Sequence, residues 1–275
     1  MDDVGVVHDI VQDTHDSLRM SQMKNWLSPS DPSVNYQQAL DLRHEGTGLW
    51  LLEDDVYKLW KTRPSSFLWL HAFAGAGKTV LSVTIIEDLQ RDCVVSGNIV
   101  YFYFTFSDEH KQSLQDMVSS LVSQIYSIHK ETRQPLDALY QSHREGARQP
   151  SLNSLSRTLN EMISQMDEVT IVLDALDESR TRNELLVWLK GIRETQDINL
   201  RLLATSRKEE DIYSHFGKWC STDEMLAIPH DAIDRDIQAY VHASIQTDRR
   251  FDTWRSRPDV QEEIETKLME KAGGM

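Results

Sequence analysis

The residues with the most chemical content run Ala72-Phe73-Ala74-Gly75-Ala76-Gly77-Lys78-Thr79. Their spacing is that of the phosphate-cradling loop G-x-x-x-x-G-K-[ST], with Ala72 in place of the first glycine. Such a loop turns its backbone N–H groups toward a polyphosphate, which demands small side chains such as Ala74, Gly75, Ala76 and Gly77. Gly75 and Gly77 can also take backbone angles that other residues resist. Lys78 is placed to reach the β- and γ-phosphates, and the Thr79 hydroxyl to ligate Mg²⁺. Val80 continues the helix whose N-terminal partial positive charge adds to the attraction. Alanine at 72 is acceptable if that residue keeps φ below zero. Weakened or altered binding, not loss, is the expected consequence.

A second group is Ile171-Val172-Leu173-Asp174-Ala175-Leu176-Asp177-Glu178, an apolar run ending in three acids. Alone, an acidic turn after a strand is ordinary solvated surface. With a phosphate loop upstream, Asp174 becomes a candidate Mg²⁺ ligand, directly or through water. Asp177 and Glu178, one turn later, become candidates to orient or deprotonate an attacking water. A third group, Leu202-Leu203-Ala204-Thr205-Ser206-Arg207, ends a strand in an arginine able to sense a γ-phosphate. The Asn-Lys-x-Asp motif that reads guanine is missing, so the expected cofactors are ATP or ADP with Mg²⁺. Other candidates are weaker. His8 and His15 lie seven residues apart and read as solvated. Asp54–Asp55 and Asp108–Glu109 read as helix starts or solvated faces, and Cys93 and Cys220 as ordinary residues.

Strands must carry these groups to one place. Five apolar runs read as buried strands: Phe67–His71, Asn98–Thr105, Val169–Leu173, Leu200–Ala204 and Met225–Ile228. A helix is expected from Lys78 to about Gln90, directly after the phosphate loop. Apolar stripes at helical spacing lie between the strands. They are Leu114, Met117, Val118, Leu121, Val122 and Ile125; then Leu152, Leu155, Leu159, Met162, Ile163 and Met166; then Leu185, Trp188, Leu189 and Ile192. Thr181 and Glu184 fit a capping box at the start of the third. Alternating strands and helices predict a parallel α/β sheet. An N-terminal helix of about Val7–Leu27 precedes a linker from Ser28 to Gly48, rich in Pro and Gly turns. The expected division is a helical lead-in and linker over 1–48 and a nucleotide-binding domain over 49–275.

Composition narrows the partners. The 275 residues include 29 Lys and Arg against 44 Asp and Glu, a formal net charge of −15. That argues against nucleic acid, whose phosphates are met by basic faces. Two cysteines outside any CxxC make neither a disulfide framework nor a zinc knuckle. No apolar run approaches the roughly 20 residues of a membrane span, and the start has no secretory pattern. The expectation is a soluble, cytoplasmic protein. In so acidic a chain, polyphosphate binding is expected to depend strongly on Mg²⁺.

Taken together, these motifs resemble the NACHT branch of the STAND class of P-loop NTPases, and most closely fungal NACHT proteins with a nephrocystin-3-like N-terminal domain. The resemblance runs from Asn25 to the last residue. It rests also on Trp26-Leu27-Ser28-Pro29, on Arg43-His44-Glu45-Gly46-Thr47-Gly48-Leu49-Trp50 and on Thr205-Ser206-Arg207. The family loop reads H-G-x-x-G-x-G-K-T with a proline at the position of Ala74, so Ala72 and Ala74 depart from it. The resemblance implies a three-layer fold with a five-stranded parallel sheet in order 5-1-4-3-2. It implies a slowly hydrolysing ATP switch, homo-oligomeric when active, in non-self recognition or cell death. It places Arg43 and Gly46–Gly48 near the base or at the linker, and sets helical, winged-helix and repeat domains beyond the last residue. Two other readings remain: a non-catalytic scaffold that keeps the fold, and a P-loop kinase, against which the acids after Asp174 and the lack of an acceptor lid argue.

Overall fold

The computed structural model describes residues 3–91, 98–195, 198–247, 253–254 and 257–272. In chain order the helices before the sheet are α1 (Asp3–Leu27), α2 (Ser33–Leu42), α3 (Leu49–Glu53) and α4 (Asp55–Thr62). Then come β1 (Phe67–His71), α5 (Lys78–Arg91), β2 (Ile99–Tyr103), α6 (Leu114–Ile128), α7 (Gln134–Ser142) and α8 (Leu152–Ile163). β3 (Val169–Asp174), α9 (Arg182–Arg193), β4 (Leu200–Ser206), α10 (Glu210–Phe216), β5 (Met225–Ala227), α11 (His230–Thr247) and α12 (Pro258–Ala272) complete them.

The five strands form one parallel sheet in the order β2-β3-β4-β1-β5, which is the expected 5-1-4-3-2 read from the other edge. Alternate residues of each strand face opposite sides. Phe67, Trp69, Phe102, Ile171, Leu173 and Leu202 pack with α1 and α6 to α10. Leu68, Leu70, Tyr103, Val172 and Leu203 pack with α2 to α5 and α11. Both faces of β1, β3 and β4 are buried, which is why these strands read as largely apolar runs, whereas β5 at the sheet edge is partly exposed, not buried as its sequence suggests. The register brings the carboxyl ends level: His71 beside Ser206, Tyr103 beside Asp174, Leu173 beside Ala204.

Several boundaries differ from the sequence reading. β2 stops at Tyr103 instead of Thr105, because its partner β3 ends at Asp174 and Thr105 bonds instead to the Lys111 carbonyl. β4 runs on through Thr205 and Ser206, because β1 continues beside them to His71. The supposed linker Ser28–Gly48 contains α2, which starts where Asp31 accepts the Ser33 N–H at 2.9 Å and packs Tyr36, Ala39 and Leu40 toward α5. The capping box at Thr181 does not form. The Thr181 hydroxyl accepts the Leu114 N–H at 2.8 Å instead, serving the first turn of α6. Ser113 and Asp116 make a real capping box there. Asp54 and Asp108 start helical turns as expected. His15 is exposed; the His8 side chain and Cys93 lie outside the described residues.

Candidate functional site

The loop between β1 and α5 takes the conformation its residues permit. Gly75 has φ +81° and Gly77 φ +76°, and between His71 and Lys78 they alone have positive φ. Ala72 is therefore unstrained. It is buried on the α5 face and extends the ladder by donating its N–H to the Ser206 carbonyl at 3.3 Å. The first glycine of the motif is dispensable here because nothing at position 72 demands its freedom.

Lys78 opens α5 and folds back over the loop. Its Nζ donates to the Phe73 carbonyl at 2.8 Å and the Ala72 carbonyl at 3.4 Å. Burial lowers its pKa, and Asp177 and Asp174 pull the other way. Thr79 donates its hydroxyl to Asp174 Oδ2 at 2.7 Å. The other carboxylate oxygen accepts from Thr205 at 2.6 Å, and Thr205 in turn accepts the Ala175 N–H at 3.0 Å. Asp174 is 3% exposed. Burial raises its pKa, against the two hydroxyl donors.

After Asp174 the chain turns sharply, with Ala175 at φ +59°, into a 3₁₀ turn at Leu176–Glu178. The two acids of that turn part company. Asp177, 4% exposed, accepts from the Arg207 N–H at 2.9 Å and pairs with Arg207 Nε at 3.1 Å. Its own carbonyl accepts from Arg182. Glu178 turns toward β2, where its Oε2 accepts the Phe106 N–H at 2.9 Å.

One recess is lined by Ala74, Gly75, Ala76, Gly77, Lys78, Thr79 and Val80 together with Asp174, Asp177, Glu178 and Arg207. All the sequence-predicted site residues thus meet at one end of the sheet. Among the described residues no three His, Cys, Asp or Glu side chains converge as a metal cage. The hydroxyl and carboxylate of Thr79 and Asp174 suit Mg²⁺ nonetheless, since that ion takes one or two hard protein oxygens and completes its shell with phosphate and water.

A second, more apolar cleft shares Gly75, Ala76, Gly77 and Val80 with the recess. Leu42, His44, Thr47, Trp50, Leu81, Ile228, Ile233, Asp236, Ile237 and Tyr240 complete it. Asp236 of α11 clasps its rim, accepting the Gly48 N–H at 3.0 Å and Trp50 Nε1 at 3.2 Å. The α11 residues were not singled out from sequence. Ile233, Asp236, Ile237 and Tyr240 follow helical spacing, which marks a helix face but not what it faces. Of the expected base-side residues, Thr47 lines this cleft and Gly48 is held at its rim, whereas the Arg43 N–H closes α2 on Ala39 and Leu40.

A family model described as nephrocystin 3, N-terminal, matches residues 46–207, more than half of the chain. The chain belongs to this family. Its nephrocystin-3 N-terminal region opens at Gly46 beside the apolar cleft and closes at Arg207, so it contains the phosphate loop, Asp174 and both later acids. No curated protein matches the sequence. Among solved structures, the Aeropyrum pernix ORC1 protein in complex with DNA aligns over 70% of this chain at 15% identity and a TM-score of 0.40. The chain spans 53% of that protein. No described helix is long and apolar enough to cross a membrane.

Proposed function

We propose that this chain is an ATP- and Mg²⁺-binding switch domain that hydrolyses its nucleotide slowly, in a cytoplasmic signalling protein of the fungal NACHT type. The observation that carries the reading is the meeting of phosphate loop, Thr79–Asp174 pair and Glu178 in one recess beside an apolar cleft. The polyphosphate lies in the loop, with the backbone N–H groups of residues 74–80 and the start of α5 turned to it. Lys78 exchanges the Phe73 carbonyl for phosphate oxygens. The base takes the adjoining cleft against Val80, Ile233 and Ile237.

Thr79 and Asp174 hold Mg²⁺, which when bound offsets charge on the phosphates. Glu178 accepts the Phe106 N–H with one oxygen, which leaves the other to orient or deprotonate water. Asp177 is committed to Arg207 and serves to aim that guanidinium at the γ-phosphate. Thus Glu178 is the candidate base and Asp177 the support. With both acids occupied by protein donors, the described state suits a resting switch. Activation follows nucleotide exchange and self-association through the nucleotide-binding domain.

The test is calorimetric titration of ATP with and without Mg²⁺, for the unaltered chain and Lys78→Ala. Loss of the lysine is expected to weaken binding by about 100-fold, a difference near 2.7 kcal/mol. Excess EDTA is expected to abolish most of the remainder. Equal affinities for the two chains, or binding undiminished in EDTA, refute the reading.

A further inference from the structure

Lys111 is a charged side chain only 6% exposed, and the nucleotide site as described gives it no task. It lies in the loop after β2, and its ammonium points away from the recess toward the junction of α1 and α2. There Nζ donates to the Asp31 carbonyl at 2.7 Å and to Asn35 Oδ1. A lysine withdrawn from water gives up hydration that only well-placed acceptors replace. Both acceptors are neutral, and the Asp31 carboxylate is near enough to feel the charge. The contact therefore holds the loop and the α1–α2 junction in one relative position.

The same loop is closed on itself and fastened to the site. The Thr105 N–H donates to the Lys111 carbonyl at 3.1 Å, and Gln112 Nε2 to the Phe106 carbonyl at 2.8 Å. The Gln112 carbonyl accepts from the Arg180 N–H at 2.8 Å and from the Ser179 hydroxyl at 3.2 Å. Between these bonds the Phe106 N–H holds Glu178 at 2.9 Å. Phe106 is 59% exposed, so hydrogen bonds, not packing, locate that N–H. A continuous set of bonds leads from Asp31 and Asn35 through Lys111 to Glu178.

We propose that Lys111 is a positioning residue for Glu178. By fastening residues 105–112 to the α1–α2 junction it sets where Phe106 holds the carboxylate, and it makes the hydrolysis rate depend on the placement of the N-terminal helices. The proposal rests on the hydrolytic reading above.

The experiment uses the full chain with Lys111→Met, Asn35→Ala and Asn35→Asp. It measures single-turnover ATP cleavage, ATP affinity and amide hydrogen exchange at Phe106. Lys111→Met is expected to slow cleavage about tenfold while affinity stays within about threefold, and to speed exchange at Phe106 about tenfold. Asn35→Ala moves all readouts the same way by less, and carries the test if Lys111→Met does not fold. Asn35→Asp, which keeps an acceptor, restores the unaltered rate. In a Glu178→Gln background Lys111→Met adds no further loss of cleavage. Unchanged Phe106 exchange, equal losses of rate and affinity, or full additivity with Glu178→Gln overturns the proposal. An unaltered chain that binds ATP but never cleaves it overturns the hydrolytic reading and the effect of Lys111 on rate with it, and the exchange result then separates that failure from failure of Lys111 to position Phe106.

Discussion

Asp174→Asn sets stability against function at a single atom. Asp174 is buried, and its two carboxylate oxygens meet two neutral hydroxyls, Thr79 and Thr205. Lys78 favours its charge, but the Lys78 ammonium is spent on carbonyls of its own loop, and Asp177 opposes the charge. A buried carboxylate without a close cation costs several kcal/mol, less the roughly 1.5–3 kcal/mol that each charged hydrogen bond returns. Asparagine has the same shape, still accepts from Thr205 and can donate to the Thr79 oxygen. The variant without nucleotide is expected to be more stable by about 1–2 kcal/mol, which at this chain length raises the melting point by roughly 2–8 °C. The gain shrinks as pH falls, because burial holds the Asp174 pKa above the ordinary carboxylate value and the native side chain then takes up its own proton.

With Mg-ATP the order reverses. Nucleotide at about 100 times its Kd adds about 2.7 kcal/mol to the unaltered chain. If loss of the carboxylate weakens Mg-ATP about 100-fold, the variant gains only about 0.4 kcal/mol under the same conditions. Thermal melting of both chains, with EDTA and with Mg-ATP, measures all four quantities. A variant that melts lower than the unaltered chain in EDTA would show that the buried charge is compensated. One stabilised equally by Mg-ATP would show that Asp174 is not a metal ligand.

Three further substitutions probe the frame around the site. His71 ends β1 against Trp69, and its pKa is lowered to about 4, first by burial and then by Lys208. Its folded pKa lies below the unfolded value of about 6.5, so the unfolded chain binds the proton more readily. The neutral imidazole's stability contribution is full above about pH 6.5 and is lost as pH falls toward 4, by about 3 kcal/mol over the window. In urea titrations at several pH values, His71→Phe is expected to flatten this acid slope, and an unchanged slope refutes the assignment. Gly48 has φ +74°, and an added Cβ would lie 2.9 Å from Leu81 Cδ2, whereas Gly46, with φ +89°, faces open space. Gly48→Ala is expected to cost clearly more than the roughly 1–2 kcal/mol of backbone strain that Gly46→Ala incurs, and equal losses by denaturant unfolding would refute the packing argument.

Much of the site was legible in sequence because its chemistry sits on short contiguous segments. Loop residues 72–79 and the acids 174, 177 and 178 each declare themselves by residue type at fixed spacing, and each follows an apolar run that is a strand for a local reason. What each acid does was not legible. Asp177 and Glu178 are neighbours in sequence, yet one bonds Arg207 at the end of β4 and the other Phe106 beyond β2. Thr181 likewise has the type and spacing of a cap for its own helix, yet its hydroxyl serves the start of α6.

The sequence by itself determined the parallel α/β core and the residues of the candidate phosphate loop. Buried strands need continuous apolar residues, and a polyphosphate cradle needs glycine, lysine and threonine at set intervals. Only the tertiary structure decided that Asp236 of α11 clasps Gly48, that Lys111 reaches Asp31 and Asn35, and that Glu178, not Asp177, turns away from Arg207. Those bonds join residues up to 188 positions apart. Their partners are chosen by which strand ends the sheet brings level, and no local spacing along the chain encodes that choice.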